Sequence, residues 1–258
     1  MNPLFMNSPA YSLIIPAYNE SARLGATLDR IFEFVARQSW SAEVIVVNDG
    51  SQDSTAELVR QYIQRIPCLR LIENPGNRGK GYSVRNGVLH ARGEILIFSD
   101  ADLSSPIAEA EKLLQALQGG ADVAIGSRWA RPETMTERQP ILRQLFGRIY
   151  NLLLRLLLGL KYRDTQCGLK AFTRRAALEV FSCQQIERWG FDPELLFLAQ
   201  RRGLRVAEIP VSWAHDNRSK INPLLDGMKM FTEILRIRWY SVTGRYEETR
   251  ALMAQSPQ

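Results

Sequence analysis

Two aspartates one residue apart, Asp100 and Asp102, follow the apolar run Ile95-Leu-Ile-Phe98 and precede Pro106. Consecutive apolar residues make a short buried strand, and the proline suits the opening of a helix, so both carboxylates stand on a strand-end turn. In an open parallel α/β sheet, ligands gather at the carboxyl ends of strands. A carboxylate pair there offers hard oxygen donors, which Mg2+ or Mn2+ accepts while keeping other positions for phosphate oxygens. The chemistry on offer is a metal clamp for a nucleoside diphosphate, with Asp100 and Asp102 as ligands. The competing reading is a solvated turn whose aspartate caps the helix that starts near Pro106.

The elements that must position this pair are legible as alternating strands and helices. Strands are predicted at Ser12–Pro16, Glu43–Asn48, Leu69–Glu73, Asp122–Ser127 and Arg205–Trp213 besides the central one. Helices are predicted at about Ala22–Gln38, after Thr55, at Tyr82–Ala91, Pro106–Gln118, about Ala176–Phe181 and up to Arg202. The alternation predicts βαβ units and a mostly parallel sheet. Unusual polar residues then mark five strand-end turns: Tyr18 with Glu20, Asp49, Lys80, the Asp100/Asp102 pair, and Arg128. If the strands are parallel, one extended ligand reaches all five. Glu20 and Asp49 can accept hydrogen bonds from ribose hydroxyls or a base N–H, and Lys80 or Arg128 can offset phosphate charge.

Composition agrees with one large α/β domain. The 258 residues are 45% hydrophobic with a net charge of +6, which suits anionic partners. Residues 1–11 read as an extension, 12–246 as a single domain and 247–258 as a tail. The three cysteines, Cys68, Cys167 and Cys183, are odd in number and lack framework spacing, which points to reduced thiols in a cytosolic setting. Two histidines, His90 and His215, make a multi-histidine zinc site a poor fit. Met1–Pro9 lacks the pattern of a signal peptide. The most apolar run, Leu152–Leu160, is too short to span a bilayer and contains Arg155. The basic residues lie in turns and stripes rather than on one aromatic-interleaved face, which argues against a nucleic-acid partner.

Three further stretches admit two readings each. Arg128–Pro140, with Arg128, Arg131 and Arg138, is either a basic loop beside the site or a solvated surface loop. Ile141–Leu160 is a helix with a narrow polar stripe of Gln144, Arg148, Asn151 and Arg155. Leu224–Trp239 repeats the design with Asp226, Lys229, Glu233 and Arg236, ending in Arg238, Trp239 and Tyr240. Helices so apolar around most of their circumference either lie in a membrane interface or pack in a core or dimer.

The turns Pro16-Ala-Tyr-Asn-Glu20, Asn48-Asp-Gly-Ser-Gln-Asp-Ser-Thr55, Asn77-Arg-Gly-Lys-Gly81 and Asp100-Ala-Asp-Leu103 resemble the signature turns of family 2 inverting glycosyltransferases with the GT-A fold. With Gly126-Ser-Arg128, Asp164-Thr-Gln-Cys-Gly-Leu-Lys170, Glu187-Arg-Trp-Gly-Phe-Asp192 and Ile209-Pro-Val-Ser-Trp213, the chain resembles the polyprenyl-phosphate (dolichyl-phosphate) β-glucosyltransferases, cousins of the mannosyltransferases. The resemblance covers about Ser12–Lys220. It implies a GT-A sheet and transfer of a sugar, glucose from UDP-glucose, to a membrane-borne polyprenyl phosphate with inversion, at the inner face of a membrane. It further implies that Asp100 and Asp102 bind Mg2+ or Mn2+ with the diphosphate, and that Pro16, Ala17, Tyr18, Glu20 and Asp49, with Lys80, hold the donor. Arg128, Arg131 and Lys220 would hold the acceptor phosphate. Asp164 either faces the reacting centre or pins its own loop.

Two departures stand out. Some mannosyltransferase relatives carry Gln two positions after the second aspartate, where this chain has Ser104, and many relatives carry membrane-spanning helices. The helices at about 141–160 and 224–240 would then supply membrane contact. Gln185-Ile-Glu-Arg-Trp189 fits a pattern of processive polysaccharide synthases, but no channel-forming helices accompany it. Arg188 and Trp189 are left to line a sugar pocket or to pack on the sheet. The rival functions are a family 2 transferase with another NDP-sugar or a soluble or polysaccharide acceptor, and a nucleotide-sugar-binding, membrane-docking protein without turnover. The oligomeric state is open.

Overall fold

The computed structural model describes residues 9–128, 152–213, 223–247 and 249, with the backbone alone for 223–230. The order is β1 (Tyr11–Ala17), α1 (Ser21–Arg37), β2 (Ala42–Asn48), α2 (Thr55–Ile63), β3 (Leu69–Glu73), α3 (Lys80–Leu89), β4 (Ile95–Ser99) and α4 (Ala110–Gln118). It continues with β5 (Val123–Ser127), a helical stretch α5 (152–158), β6 (Leu169–Thr173), α6 (Arg174–Phe181), α7 (Phe191–Arg201), β7 (Val206–Pro210) and α8 (Pro223–Val242).

Among the described residues, seven strands form one sheet in the order β3-β2-β1-β4-β6-β5-β7. β6 runs antiparallel to both its neighbours and the other pairings are parallel, so the strands before the five polar turns share one direction. The turns therefore lie along one edge. The strands are apolar on both faces because helices cover both. Leu13, Ile15, Val44 and Val46 enter a core shared with α1 and α4, while Ile14, Ile45, Val47 and Phe98 enter a core shared with α3, α6, α7 and α8. Each such buried side chain contributes roughly 1.5–3 kcal/mol, enough to fix the strand ends that carry the turns.

Several sequence expectations are corrected. The 164–170 segment was not expected to feed a strand, yet Leu169–Thr173 is β6, inserted between β4 and β5. Lys170 is its second residue and is fully buried, which a reading of apolar runs passes over. α3 begins at Lys80 rather than Tyr82, and the last strand is shorter than Arg205–Trp213. Glu233, placed in a polar stripe, is buried and accepts the Gly190 N–H at 2.7 Å. α8 turns Glu233, Ile234 and Ile237 inward and exposes Phe231, Leu235, Trp239 and Val242, a row at spacings of four, four and three. α5 buries Leu154 and Leu158 and exposes Leu152 and Leu156. No helix among the described residues is long and apolar enough to cross a membrane.

Candidate active site

The turns after β1 and β2 are laced into one unit. Asn19 adopts a φ of 53°, and its N–H donates to Ser51 Oγ at 2.9 Å while its Oδ1 accepts the Gln52 N–H at 2.8 Å. The Glu20 N–H donates to Thr55 Oγ1 at 2.9 Å. Asp53 accepts from the backbone N–H of Ser21 and of Thr55, at 3.1 and 3.0 Å, and from both their hydroxyls. Burial works against the Asp53 carboxylate, but these donors outweigh it and hold its pKa down to about 2. Pro16 and Ala17 end β1, and the Ala17 carbonyl accepts the Asp49 N–H at 2.8 Å. Tyr18 is exposed on this turn, and Glu20 pairs with Arg23, whose Nη2 is 2.6 Å from Oε1.

Asp49 is buried and faces the glycine-rich turn. It accepts the Arg78 N–H at 3.0 Å, the Gly79 N–H at 2.8 Å and the Asn74 amide at 2.8 Å. The turn also needs Gly79, whose φ of 114° and close approach to the Glu187 carbonyl leave no room for a side chain. Asp49 thus fixes the start of α3, where Lys80 projects. Lys80 Nζ lies 2.5 Å from Asp100 Oδ1. Burial pulls the Lys80 pKa down, yet Asp100 and Asp192 raise it above the ordinary lysine value.

Asp100 and Asp102 sit on the turn after β4. The Leu103 N–H closes it onto the Asp100 carbonyl at 3.1 Å, Leu103 has a φ of 48°, and Asp102 Oδ1 accepts the Ser104 N–H at 2.9 Å. Register places Ser99 opposite Leu169, which brings Gly168 against Asp100. A Cβ at 168 would stand 2.1 Å from Asp100 Oδ2, so only glycine leaves that carboxylate its position. No group of three or more His, Cys, Asp or Glu side chains suited to a metal ion occurs among the described residues. The donor set still fits a hard divalent cation: its ligands are oxygens, and an ammonium already rests on one of them.

Across β6, Arg128 follows β5 and meets Asp164 through a two-pronged pair, Nε to Oδ2 at 2.7 Å and Nη2 to Oδ1 at 2.9 Å. Asp164 also accepts the backbone N–H of Arg128 and of Gln166, at 3.0 and 3.1 Å. Burial acts to raise the Asp164 pKa, but Arg128 holds it below the ordinary range; the same pair pushes Arg128 upward against its own burial. The Arg128 guanidinium lies 5.6 Å from the Trp213 ring centroid. With its oxygens engaged in this way, Asp164 anchors Arg128 and its own loop. Arg131, Arg138 and Lys220 lie outside the described residues.

The structure adds residues that had been given no role. Lys170 on β6 is buried against Asp192 on α7. Glu194 is buried and accepts the N–H of Gln185 and Ile186 at 3.0 and 2.9 Å and the Tyr246 hydroxyl at 2.8 Å, with burial pushing its pKa up to about 7. These contacts hold the Gln185–Trp189 segment beside the glycine-rich turn, and the exposed Trp189 ring lies 5.6 Å from Lys80 Nζ. The charged positions in Glu187-Arg-Trp-Gly-Phe-Asp-Pro-Glu194 were the available signal, but Arg78, Lys170 and Tyr246, which meet Glu187, Asp192 and Glu194, are remote in sequence.

The family model described as glycosyl transferase family 2 matches residues 12–181. A dolichyl-phosphate beta-glucosyltransferase of Trichomonas vaginalis is 37% identical over 254 residues, covering 93% of this chain and 74% of the relative. The Homo sapiens enzyme of that name is 35% identical, with 97% and 82% covered, and the Saccharomyces cerevisiae one 34% identical, with 93% and 77% covered. Among solved structures, a Mycobacterium tuberculosis glucosyl-3-phosphoglycerate synthase with Mn2+, UDP-glucose and phosphoglyceric acid aligns with a TM-score of 0.66 at 20% identity, covering 89% of this chain and 80% of that one. That likeness confirms the fold, a mostly parallel sheet of the GT-A kind. The chain belongs to glycosyl transferase family 2.

Proposed function

We propose that the protein transfers glucose from UDP-glucose to the phosphate of a dolichyl or other polyprenyl phosphate, with inversion at the anomeric carbon. One observation carries this reading: the strand-end edge brings a carboxylate pair, Asp100 and Asp102, together with a lysine that already contacts it, in a chain whose relatives are named dolichyl-phosphate beta-glucosyltransferases. A bound Mg2+ or Mn2+ would be held by Asp100 and Asp102 and would offset charge on the departing diphosphate. Solved neighbours hold Mn2+ with UDP-glucose, or Mg2+ with UDP. In the proposed site, the laced β1 and β2 turns present Tyr18 and Glu20 to the nucleoside. Asp49 positions Lys80 for the phosphates, and Asp164 aims Arg128 at the acceptor phosphate. Arg131 and Lys220 are proposed as further acceptor contacts. A phosphate acceptor is already an anionic nucleophile, so positioning and charge stabilisation, rather than a strong base, are the residues' task.

The exposed rows Leu152/Leu156 and Phe231/Leu235/Trp239/Val242 support peripheral membrane association, with Arg236 and Arg238 exposed beside the second row. Sedimentation with anionic vesicles is expected to weaken in Leu235→Glu and Leu156→Glu; unchanged sedimentation in both would reassign the rows to protein contacts. The function is tested by incubating the protein and Mn2+ with a panel of NDP-sugars and dolichyl or undecaprenyl phosphate, then detecting glycolipid by mass. A hexosyl polyprenyl phosphate from UDP-glucose is expected. Product with 3-phosphoglycerate and none with the lipid would favour a small phosphorylated acceptor, the reading suggested by the neighbour bound to phosphoglyceric acid.

A further inference from the structure

Four charged side chains run from the sheet interior to the cation site: Lys170, Asp192, Lys80 and Asp100. Lys170 and Asp192 are almost entirely removed from solvent. Lys170 Nζ donates to the Asp192 carboxylate and to the Cys167 carbonyl at 2.7 Å, and lies 5.2 Å from the Phe98 ring centroid. Isosteric apolar residues would serve stability at least as well as such a pair, so its place beneath the site points to another use. Lys80 links the two ends. Its ammonium contacts Asp100, feels the charge of Asp192, and is flanked by Trp189 and Phe191 at 5.6 and 5.8 Å from their ring centroids. Lys80 therefore has three carboxylates in reach of its field, Asp100, Asp192 and Asp102, and of these Asp192 is not a proposed cation ligand.

We propose that Lys170 and Asp192 are positioning residues that make Lys80 a displaceable cation. Lys80 rests on Asp100 while the site lacks metal, offsetting repulsion between Asp100 and Asp102. When a divalent cation and a nucleoside diphosphate bind, repulsion drives Lys80 off Asp100 and toward the phosphates, with Asp192 offsetting its charge in the new position. Lys170 prevents Asp192 from swinging to the cation site itself. This inference rests on the reading that Asp100 and Asp102 hold the cation.

The test is Mn2+ binding to the full chain, followed by the loss of free-ion electron paramagnetic resonance signal, with UDP binding measured calorimetrically in saturating Mn2+. Removing a like charge beside the site should make Lys80→Met bind Mn2+ alone about threefold or more tighter, yet bind UDP with Mn2+ about tenfold more weakly. The charge-neutral pair Lys170→Met/Asp192→Asn should bind Mn2+ alone about threefold more weakly, because Lys80 then has Asp100 as its remaining seat. The same pair should have no effect once Lys80 is Met. A merely structural role would lower the melting temperature but would not vanish with Lys80. If the pair variant does not fold by circular dichroism, the equally charge-neutral Lys170→Met/Asp192→Leu replaces it with the same expectation. Unchanged or weaker Mn2+ binding in Lys80→Met would overturn the inference, as would a pair effect that survives in the Lys80→Met background. Wild-type Mn2+ binding that Asp102→Ala leaves intact would instead overturn the underlying cation assignment.

Discussion

On the β1–β3 side of the site, Asp49 and Asp53 fix turns by accepting backbone N–H groups and neutral side-chain donors. On the β5–β7 side, Asp164 and Asp192, both buried, each hold a cation, the half-buried Arg128 and the fully buried Lys170. The difference is in what a single change leaves behind. Breaking a hydrogen bond to backbone strands one or two dipoles, whereas removing one member of a buried ion pair strands a full charge. The β1–β3 side is thus built to hold a shape, and the other side to hold charges in fixed places. Asp100 and Asp102 lie on the boundary, with Asp100 alone bridged to a lysine from the first side.

The largest effect is expected at that boundary. Asp102→Ala should lower turnover on the order of 100-fold or more while leaving sedimentation with vesicles unchanged. Activity within a few-fold of wild type would remove Asp102 from the reaction. Asp164→Asn should destabilise the chain by about 3 kcal/mol in urea unfolding, because the half-buried Arg128 loses its charged partner. Replacing both partners with apolar residues should recover much of that loss while activity stays low. Recovery of activity as well would show that Arg128 has no part in the reaction. Asp49→Asn, which loses acceptors for backbone donors, should cost less, about 1–3 kcal/mol, and should weaken UDP binding. A loss as large as that of Asp164→Asn would erase the contrast between the two sides.

The smallest effect concerns pH. With a folded pKa of about 2 against an ordinary value of 3.8, Asp53 adds stability that is fully present above about pH 4 and is lost as pH falls toward 2. Its partial exposure limits the contribution to about 1 kcal/mol. Asp53→Asn should therefore flatten the stability profile between pH 4 and 2, and an unchanged slope there would assign acid sensitivity to other carboxylates.

The same contrast explains what could be read without a structure. The laced turns on the β1–β3 side are local chemistry: Asx-type residues, glycine and capping hydroxyls within a few positions of each strand end, so the placement of Asp49, Lys80, Asp100 and Asp102 at strand-end turns was legible. The buried pairs join residues 36 and 22 positions apart. Nothing near Lys170 announces that its strand inserts antiparallel between β4 and β5, and a lysine at the second position of a five-residue run obscures the strand. Glu233 misled for a related reason, since helical spacing identifies a stripe but not which stripe carries an inward polar contact to Gly190. Gly168 could be quoted as part of a motif, but its reason, the carboxylate of Asp100 where its Cβ would be, exists only in three dimensions.

The central claim is that the turn after β4 grips a cation carrying a nucleoside diphosphate. Crystals soaked with UDP and Mn2+, measured for manganese anomalous scattering, test it most directly. The account predicts a single strong peak within coordination distance of Asp100 and Asp102 with the diphosphate bound to it. A peak at other residues, with UDP ordered away from this turn, would contradict it.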